Sequence, residues 1–220
     1  MGRETKAIKD NAKLKRLQAY LKQYNKMAYV YVVILITTGY RASDIISLTV
    51  LDIKEAIKNR EFKIIESKNA NLKRYKLKKN HGDDFEEEKF NKVLKARAVP
   101  IGDSLIKILS NWIDGKDDFE YIFKSPKGAK HFSVRRMGVI INEAAKKCDI
   151  DYCVANHGLR KTYGYITYKK LCEKTDPIYA LLIVQKNFMH ASPEITKRYI
   201  GLEEEDSKEI AEFFDSLIAI

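Results

Sequence analysis

Segments typical of secreted and membrane proteins are absent from this chain of 220 residues. It has only three cysteines and no CxxC pair, and an odd count without a signal peptide indicates the reducing cytosol. The basic N-terminus is not followed by an apolar secretion segment, and the apolar run at 28–36 is far too short to span a bilayer. We therefore expect a cytoplasmic protein without a membrane partner.

Acidic residues are fewer than basic ones, so the chain carries an excess of positive charge. Lys and Arg number 41 against 30 Asp and Glu, which gives a net charge of +11 and a pI near 9.3. Basic side chains gain affinity for nucleic acids by releasing condensed counterions, although an unspecialised basic protein would have the same composition. The positive charge concentrates at 1–26 and 54–79, whereas the acidic runs at 83–88 and 203–206 are expected to be solvated loops.

The spacing of apolar residues predicts a mainly α-helical chain with one small antiparallel sheet, an α+β fold. Internal repeats and Gly/Ser linkers are lacking. The segment 27–38 is ambiguous, because its Val, Ile and Tyr content favours a strand whereas a buried helix fits its length equally well. The other expected helices cover 4–26, 43–48, 133–147, 159–172, 177–187, 193–199, one that begins at Asp103, and an amphipathic C-terminal one.

The predicted sheet consists of the segments 61–66, 75–77 and 97–101. The segment 78–95 is charged and has no apolar alternation. We expect it to be an extended loop, or a loop that carries one short helix over 85–94.

Five residues in this chain have side chains suited to phosphate chemistry. Arg41 lies in the run TGYRASD, His157 and Arg160 lie in HGLR, and His190 precedes Tyr199 by nine positions. Arginine forks bind phosphate bidentately, imidazoles transfer protons near neutrality, and a phenol becomes a nucleophile once it loses its proton. Each residue alone is common as a helix-end charge, a structural histidine or a half-buried aromatic, but the ordered set is specific.

Together these blocks resemble the catalytic domain of the tyrosine recombinases, also called the phage integrase family. TGYRASDIISL at 38–48 is similar to the first arginine block of the family, and HGLRKT at 157–162 is similar to its His-x-x-Arg block. MHASPEITKRY at 189–199 is similar to the closing block, which contains the nucleophile. The resemblance covers about residues 27–200 and implies the tyrosine recombinase catalytic-domain fold.

The resemblance also implies an activity, the cleavage and rejoining of DNA through a 3′-phosphotyrosyl intermediate by a site-specific recombinase of the integrase or invertase type. Arg41 and Arg160 would bind the non-bridging oxygens of the scissile phosphate, and Tyr199 would attack phosphorus. His157 would act as base toward the phenol, and His190 would donate a hydrogen bond to a phosphate oxygen. No metal ion or other cofactor is implied.

The family further uses a lysine on the turn of the sheet as general acid for the leaving 5′-oxygen. Lys68 is the nearest match, and Lys73 or Lys76 could take its place. Asp44 is expected to orient a neighbouring basic group. Met189 departs from the family, which often has glycine before the histidine of the closing block.

The implied partner is double-stranded DNA, on which the protein is expected to form a homo-oligomer, a tetramer, with a possible accessory directionality factor. The expected setting is the nucleoid of a prokaryotic cell that carries a phage or mobile element. Contacts with the DNA backbone are expected from Lys127, Lys130, Arg135, Arg136 and Lys161.

Three segments are expected along the chain. Residues 1–26 are predicted to be a basic helix, the remnant of, or the linker to, a DNA-clamping domain that this sequence does not contain. Residues 27–200 are predicted to be the catalytic domain. Residues 201–220 are predicted to be an amphipathic segment that protomers could exchange.

Two other functions fit parts of the pattern. A type IB topoisomerase uses similar residues to nick and reseal one strand, but the close spacing of His190 and Tyr199 favours a recombinase. A non-catalytic DNA-binding regulator could have the same fold, but a binder has no use for a complete set of catalytic residues.

Overall fold

The computed structural model describes residues 4–81, 90 and 94–218, and it confirms a mainly helical chain with a small antiparallel sheet. Across these ranges, no helix combines the length and the apolar content that crossing a bilayer requires. The described elements are α1 (Asn11–Tyr24), α2 (Lys26–Thr38), α3 (Ala42–Ile46), α4 (Val50–Asn59), β1 (Glu61–Ile64), α5 (Ser67–His81), β2 (Arg97–Pro100), α6 (Asp103–Ile113), α7 (Val134–Lys146), α8 (Asn156–Cys172), α9 (Pro177–Phe188), α10 (Pro193–Ile200) and α11 (Leu202–Ser216).

Helix α2 lies at the centre of the core, and this position resolves the ambiguity of its segment. Its residues Tyr31, Ile34 and Leu35 are fully buried, and α1, α3, α6, α7 and α8 pack around it. A helix that is surrounded by other helices needs no amphipathic stripe, so its β-branched residues are tolerated. The helix ends at Gly39, whose φ of 60° lies in the left-handed region and whose backbone touches the Tyr163 ring so closely that a Cβ would clash.

The sheet has two described strands instead of the predicted three. β1 and β2 pair antiparallel, with Ile64 opposite Arg97. The predicted strand at 75–77 is wrong, because these residues lie inside α5. The helix forms because of a long-range contact. The Asp44 carboxylate accepts hydrogen bonds from the amide and the hydroxyl of Ser67 and thereby starts the helix. Most of the segment 78–95 lies outside the described residues.

The N-terminal helix starts later than predicted. Its first turn follows Asp10, whose side chain accepts hydrogen bonds from two amides of that turn. The residues before it cross α8, where the Ile8 amide donates to Thr162 Oγ1 at 2.8 Å. Gly158 permits this crossing, because a Cβ there would lie 2.6 Å from the carbonyl oxygen of Lys6.

A second, smaller core joins the last four helices. Its buried members are Ala7, Tyr165, Val184, Phe188, Ile200 and Leu202. Gly164 of α8 brings these helices close, because the position of its missing Cβ is 2.5 Å from the Phe188 ring and 2.8 Å from Ile200 Cγ2. This close approach fixes α9 and α10 against α8.

We expect Gly164→Ala to lower the free energy of unfolding by about 1–2 kcal/mol, because the added methyl group must displace the Phe188 ring at a packing cost of about 2–3 kcal/mol. The better helix propensity of alanine, worth about 1 kcal/mol, offsets only part of this loss. Denaturant unfolding measures the difference. Lys170→Ala, at an exposed position of the same helix, is the control and should change stability by less than about 0.5 kcal/mol. Equal effects of the two substitutions would contradict the packing argument.

Candidate active site

Two arginines from distant parts of the chain meet at one buried carboxylate. Arg41 immediately precedes α3, and Arg160 lies in the second turn of α8. Nη1 of Arg41 donates to Oε2 of Glu66 at 2.6 Å, and Nη1 of Arg160 donates to Oε1 of Glu66 at 2.8 Å. Arg160 Nη1 also donates to the carbonyl oxygen of Gly39 at 2.6 Å. The structure thus brings together the two arginines that the sequence singled out.

A third arginine, which the sequence analysis missed, borders this pair. Arg97 begins β2, and its Nη2 lies 3.8 Å from Glu66 Oε1 and donates to the carbonyl oxygen of Thr38 at 3.0 Å. Its guanidinium stacks on the Tyr40 ring at 3.9 Å. Burial lowers the pKa of Arg97, and the charge of Glu66 opposes this shift. Arg97 therefore links the sheet to the turn before Arg41.

The phenol of Tyr199 approaches the arginines from α10. Its oxygen lies 3.4 Å from Nδ1 of His157, which is long for a hydrogen bond but close enough to shorten when a substrate binds. Burial raises the pKa of Tyr199, whereas the charges of Arg160 and Arg41 and a hydrogen bond from Arg160 lower it. His157 and Arg160 are three positions apart in α8, so both side chains lie on one helix face.

His190 stands beside the phenol. Its ring centroid is 5.0 Å from that of Tyr199, with the planes at 74°, and its Nδ1 lies 3.0 Å from Thr196 Oγ1. The preceding residue, Met189, ends α9 in the left-handed conformation with φ 56°. This is a conformation that glycine favours, so the turn forms although glycine is absent.

Both histidines of the site are biased toward the neutral form. Burial lowers the pKa of His157, and neighbouring positive charges, above all that of Arg160, lower it further. The pKa of His190 is lowered by the same two causes. A neutral imidazole can accept a proton, so His157 has the protonation state that a base for the Tyr199 phenol requires.

Lys68, the predicted general acid, lies at the start of a helix and not on a turn between strands. It is the second residue of α5 and is exposed. Its charge is one of those that lower the pKa of His157, so Lys68 is within electrostatic reach of that residue. The two alternative lysines lie farther along the same helix. Asp44, which the sequence predicts to orient a basic group, instead accepts hydrogen bonds from Ser67 at the start of this helix.

The residues predicted to contact the DNA backbone lie near the starts of α7 and α8. Asn156 Nδ2 donates to the carbonyl oxygen of Val134 at 3.0 Å, which holds the starts of these two helices together. Lys161 Nζ lies 5.6 Å from the centre of the Tyr199 ring. The other predicted contacts are exposed, Arg135 and Arg136 in the first turn of α7, and Lys127 and Lys130 in the turn between Lys124 and His131 that precedes it.

Candidate metal ligands do not cluster in the part of the chain that the structure describes. No group of three or more His, Cys, Asp or Glu side chains is arranged there to hold a metal ion. Cys148, Cys153 and Cys172 are all free thiols.

Comparison with known proteins finds a family that matches most of the chain. The model of the phage integrase family matches residues 6–206. The chain is 29% identical over 210 residues to the probable integrase/recombinase YoeC of Bacillus subtilis (strain 168), and this alignment covers 96% of the chain and 97% of YoeC.

Two solved structures have the same fold. The crystal structure of XerA recombinase superposes with a TM-score of 0.63 at 19% identity, covering 97% of this chain and 66% of XerA. The XerH site-specific recombinase bound to palindromic difH substrate superposes with a TM-score of 0.57 at 17% identity, covering 96% of this chain and 54% of XerH. The chain therefore spans less than two thirds of the length of either relative. The superpositions confirm the fold that the sequence predicts.

The pKa of His157 should rise when Lys161 is replaced by methionine. The charge of Lys161 is among the causes that lower the pKa of His157 below its ordinary value of 6.5. His190 is an internal control, because burial, Arg160 and Arg41 lower its pKa without a contribution from Lys161. An NMR titration of the imidazole Hε1 signals follows both groups in the wild type and in Lys161→Met. A His157 pKa that does not move, or that moves together with that of His190, would contradict this electrostatic account.

Proposed function

The chain belongs to the phage integrase family, and we propose that it cleaves and rejoins double-stranded DNA at a specific site through a bond between Tyr199 and a 3′-phosphate. The prediction of a tyrosine recombinase is confirmed by the family match, whereas the roles of single residues are proposals. They rest on one observation, the convergence of the Tyr199 phenol with Arg41, Arg160 and His157 within a single chain.

The two arginines would bind the phosphate. Arg41 and Arg160 hold its non-bridging oxygens while the Tyr199 oxygen attacks phosphorus and the bond to the 5′-oxygen breaks. Negative charge on the equatorial oxygens grows in the pentacovalent transition state, so fixed positive charges stabilise it more than the ground state. The phosphotyrosyl bond conserves the energy of the broken bond, and a 5′-hydroxyl can therefore rejoin the strand without ATP.

Three side chains would handle the protons. His157 accepts the phenol proton, for which its lowered pKa and its position 3.4 Å from the phenol oxygen are suited. His190 is held through Nδ1 by Thr196, so Nε2 is the nitrogen that would donate to a phosphate oxygen. Lys68, at the start of α5, would give a proton to the leaving 5′-oxygen.

DNA is the partner that the composition and the family support. XerH is bound to its difH substrate in the structure compared above, and the net charge of +11 here favours a phosphate-rich partner. Phosphate contacts would position the duplex without reading its sequence. We assign these contacts to Lys127, Lys130, Arg135, Arg136 and Lys161. The proposed location is accordingly the nucleoid of a prokaryotic cell.

The C-terminal helix supports assembly into a homo-oligomer. Tyr165 Oη donates to Glu205 at 2.7 Å, which anchors the start of α11, but the apolar face beyond it remains uncovered in the single chain. A second copy of the chain is the proposed occupant, as in a tetramer on DNA whose protomers exchange the segment 201–220. The exposed apolar side chains are Ile210, Phe213, Phe214, Leu217 and Ile218.

Two further proposals concern the reaction and the chain. Because phosphotyrosyl exchange conserves bond energy, the chemistry has no direction of its own, and an accessory protein would supply one.

Residues 27–200 form the proposed catalytic domain. The segment 1–26 is proposed as the linker to a DNA-clamping domain. Helix α1, which lies within it, buries Leu14, Leu17 and Leu21 in the main core.

We expect the wild-type protein to form a covalent adduct with DNA and Tyr199→Phe to form none. The variant lacks only the attacking oxygen, so its DNA affinity should change little. The probe is a labelled pool of randomly nicked genomic duplexes from the native host. When cleavage occurs near a nick, the short strand that carries the free 5′-hydroxyl dissociates, so the strand cannot be rejoined and the intermediate is trapped. Denaturing gels with a magnesium chelator present score the label that stays on the protein. An adduct that persists in Tyr199→Phe would refute the nucleophile assignment.

The products separate the competing functions. Joined strands from two different duplexes are expected from a recombinase. Relaxation of plasmids without any preferred site would instead favour a type IB topoisomerase. DNA binding with no adduct at all would favour a non-catalytic regulator.

Replacing two phenylalanines of α11 should impair assembly without unfolding the domain. In Phe213→Ala/Phe214→Ala we expect loss of multi-protomer DNA complexes in sedimentation, because these two exposed rings are the aromatic side chains of the uncovered face of α11. Point changes are preferable to deletion from residue 205, since Glu205 also pairs with Lys9 at 3.1 Å. Phe119→Ala, at a loop residue that is 82% exposed, is the matched control and should leave the complexes intact. Complexes unaffected in both variants would argue against exchange through α11.

A further inference from the structure

The carboxylate between the arginines is the most deeply buried charge of the site. The Glu66 side chain is 1% exposed, compared with 5% for Arg160 and 19% for Arg41. A buried charge is stable only when it is paired, and the two oxygens of Glu66 are divided between the two arginines. The carboxylate therefore does more than neutralise a single partner.

The location of Glu66 in the chain makes it a rigid support. It follows β1 by two residues and immediately precedes Ser67, whose amide and hydroxyl are held by Asp44. Asp44 belongs to α3, the short helix that begins directly after Arg41. Glu66 and Arg41 are thus fixed to one another through the backbone as well as through their side chains.

The depth of the carboxylate determines what it can do to a bound phosphate. A group that competes with phosphate would lie on the solvent side of the arginines, where DNA arrives. Glu66 is less exposed than Arg41 and Arg160, as a group on their interior side would be. A phosphate could therefore contact the outer side of the guanidiniums while Glu66 continues to hold the inner side.

Resting on the function proposed above, we propose that Glu66 is a positioning residue that holds Arg41 and Arg160 in the geometry for the transition state before DNA binds. A guanidinium is a planar fork whose hydrogen bonds are directional, so a fixed fork supplies its charge without reorganisation during the reaction. Glu66 also separates like charges, because Arg97 Nη2 lies only 3.8 Å from the same carboxylate. Without Glu66, three neighbouring arginines would repel one another and lose their common alignment.

The decisive variants are Glu66→Gln, which keeps the shape and removes the charge, and Glu66→Asp, which keeps the charge and withdraws it by about 1.5 Å, one carbon–carbon bond. We expect Glu66→Gln to slow adduct formation on the nicked duplex pool by about 10- to 100-fold. DNA affinity should change by less than about threefold, because other phosphate contacts supply most of it. Glu66→Asp should give an intermediate rate and remains informative should Glu66→Gln fold poorly. Glu61→Gln, on β1, is the matched control and should keep the wild-type rate.

A double-substitution cycle separates positioning from a general structural defect. If Glu66 acts through the arginine pair, Glu66→Gln should cost clearly less in an Arg41→Ala background than in the wild type. A loss of the same size in both backgrounds would show that Glu66 acts elsewhere in the fold. A wild-type or faster rate in Glu66→Gln, or a wild-type rate in Glu66→Asp, would also overturn the proposal.

Arginine side-chain NMR of the DNA-free protein tests positioning without any cleavage assay. The guanidinium signals of Arg41 and Arg160 should show slow rotation in the wild type and fast averaging in Glu66→Gln. Unchanged signals would overturn the proposal. If the signals change as expected but the wild type forms no adduct, the function proposed above fails while the role of Glu66 in holding the arginines stands.

Discussion

A single carboxylate, that of Glu66, joins parts of the chain that are far apart in sequence. It binds Arg41 from the start of α3 and Arg160 from α8, 25 and 94 positions away. Arginines placed this close repel one another, and burial increases that repulsion because little water screens it. The buried negative charge allows the arginines to lie side by side, and the proposed binding of one phosphate depends on this arrangement.

The fold brings the remaining groups to the arginines through two cores. The main core fixes α2, whose end at Gly39 leads directly to Arg41 and whose side packs on α8. The smaller core holds Phe188, which stacks under Arg160 at 4.7 Å and contacts the Tyr199 ring at 5.3 Å. One buried ring therefore contacts both the Arg160 guanidinium and the Tyr199 ring, and the phenol reaches the arginines within the same chain.

The sequence was most informative where chemistry restricts spacing. His157 and Arg160 are three positions apart and therefore share a helix face, so their alignment could be predicted from local structure. Glu66 was not identified as part of the site, because one glutamate after a strand has no pattern until the fold places it between two arginines. The strand predicted at 75–77 failed for a related reason, since the helix there starts with a hydrogen bond that the Ser67 amide donates to distant Asp44.

The central claim is that the phenol of Tyr199, and no other group, forms the bond to DNA. Mass spectrometry of trapped, trypsin-digested adduct tests it directly, because cleavage after Arg198 and Lys208 leaves Tyr199 as the only tyrosine of the peptide 199–208. We expect the mass of a nucleotide on that peptide. The same mass on another peptide, such as 162–169 with its three tyrosines, would contradict it.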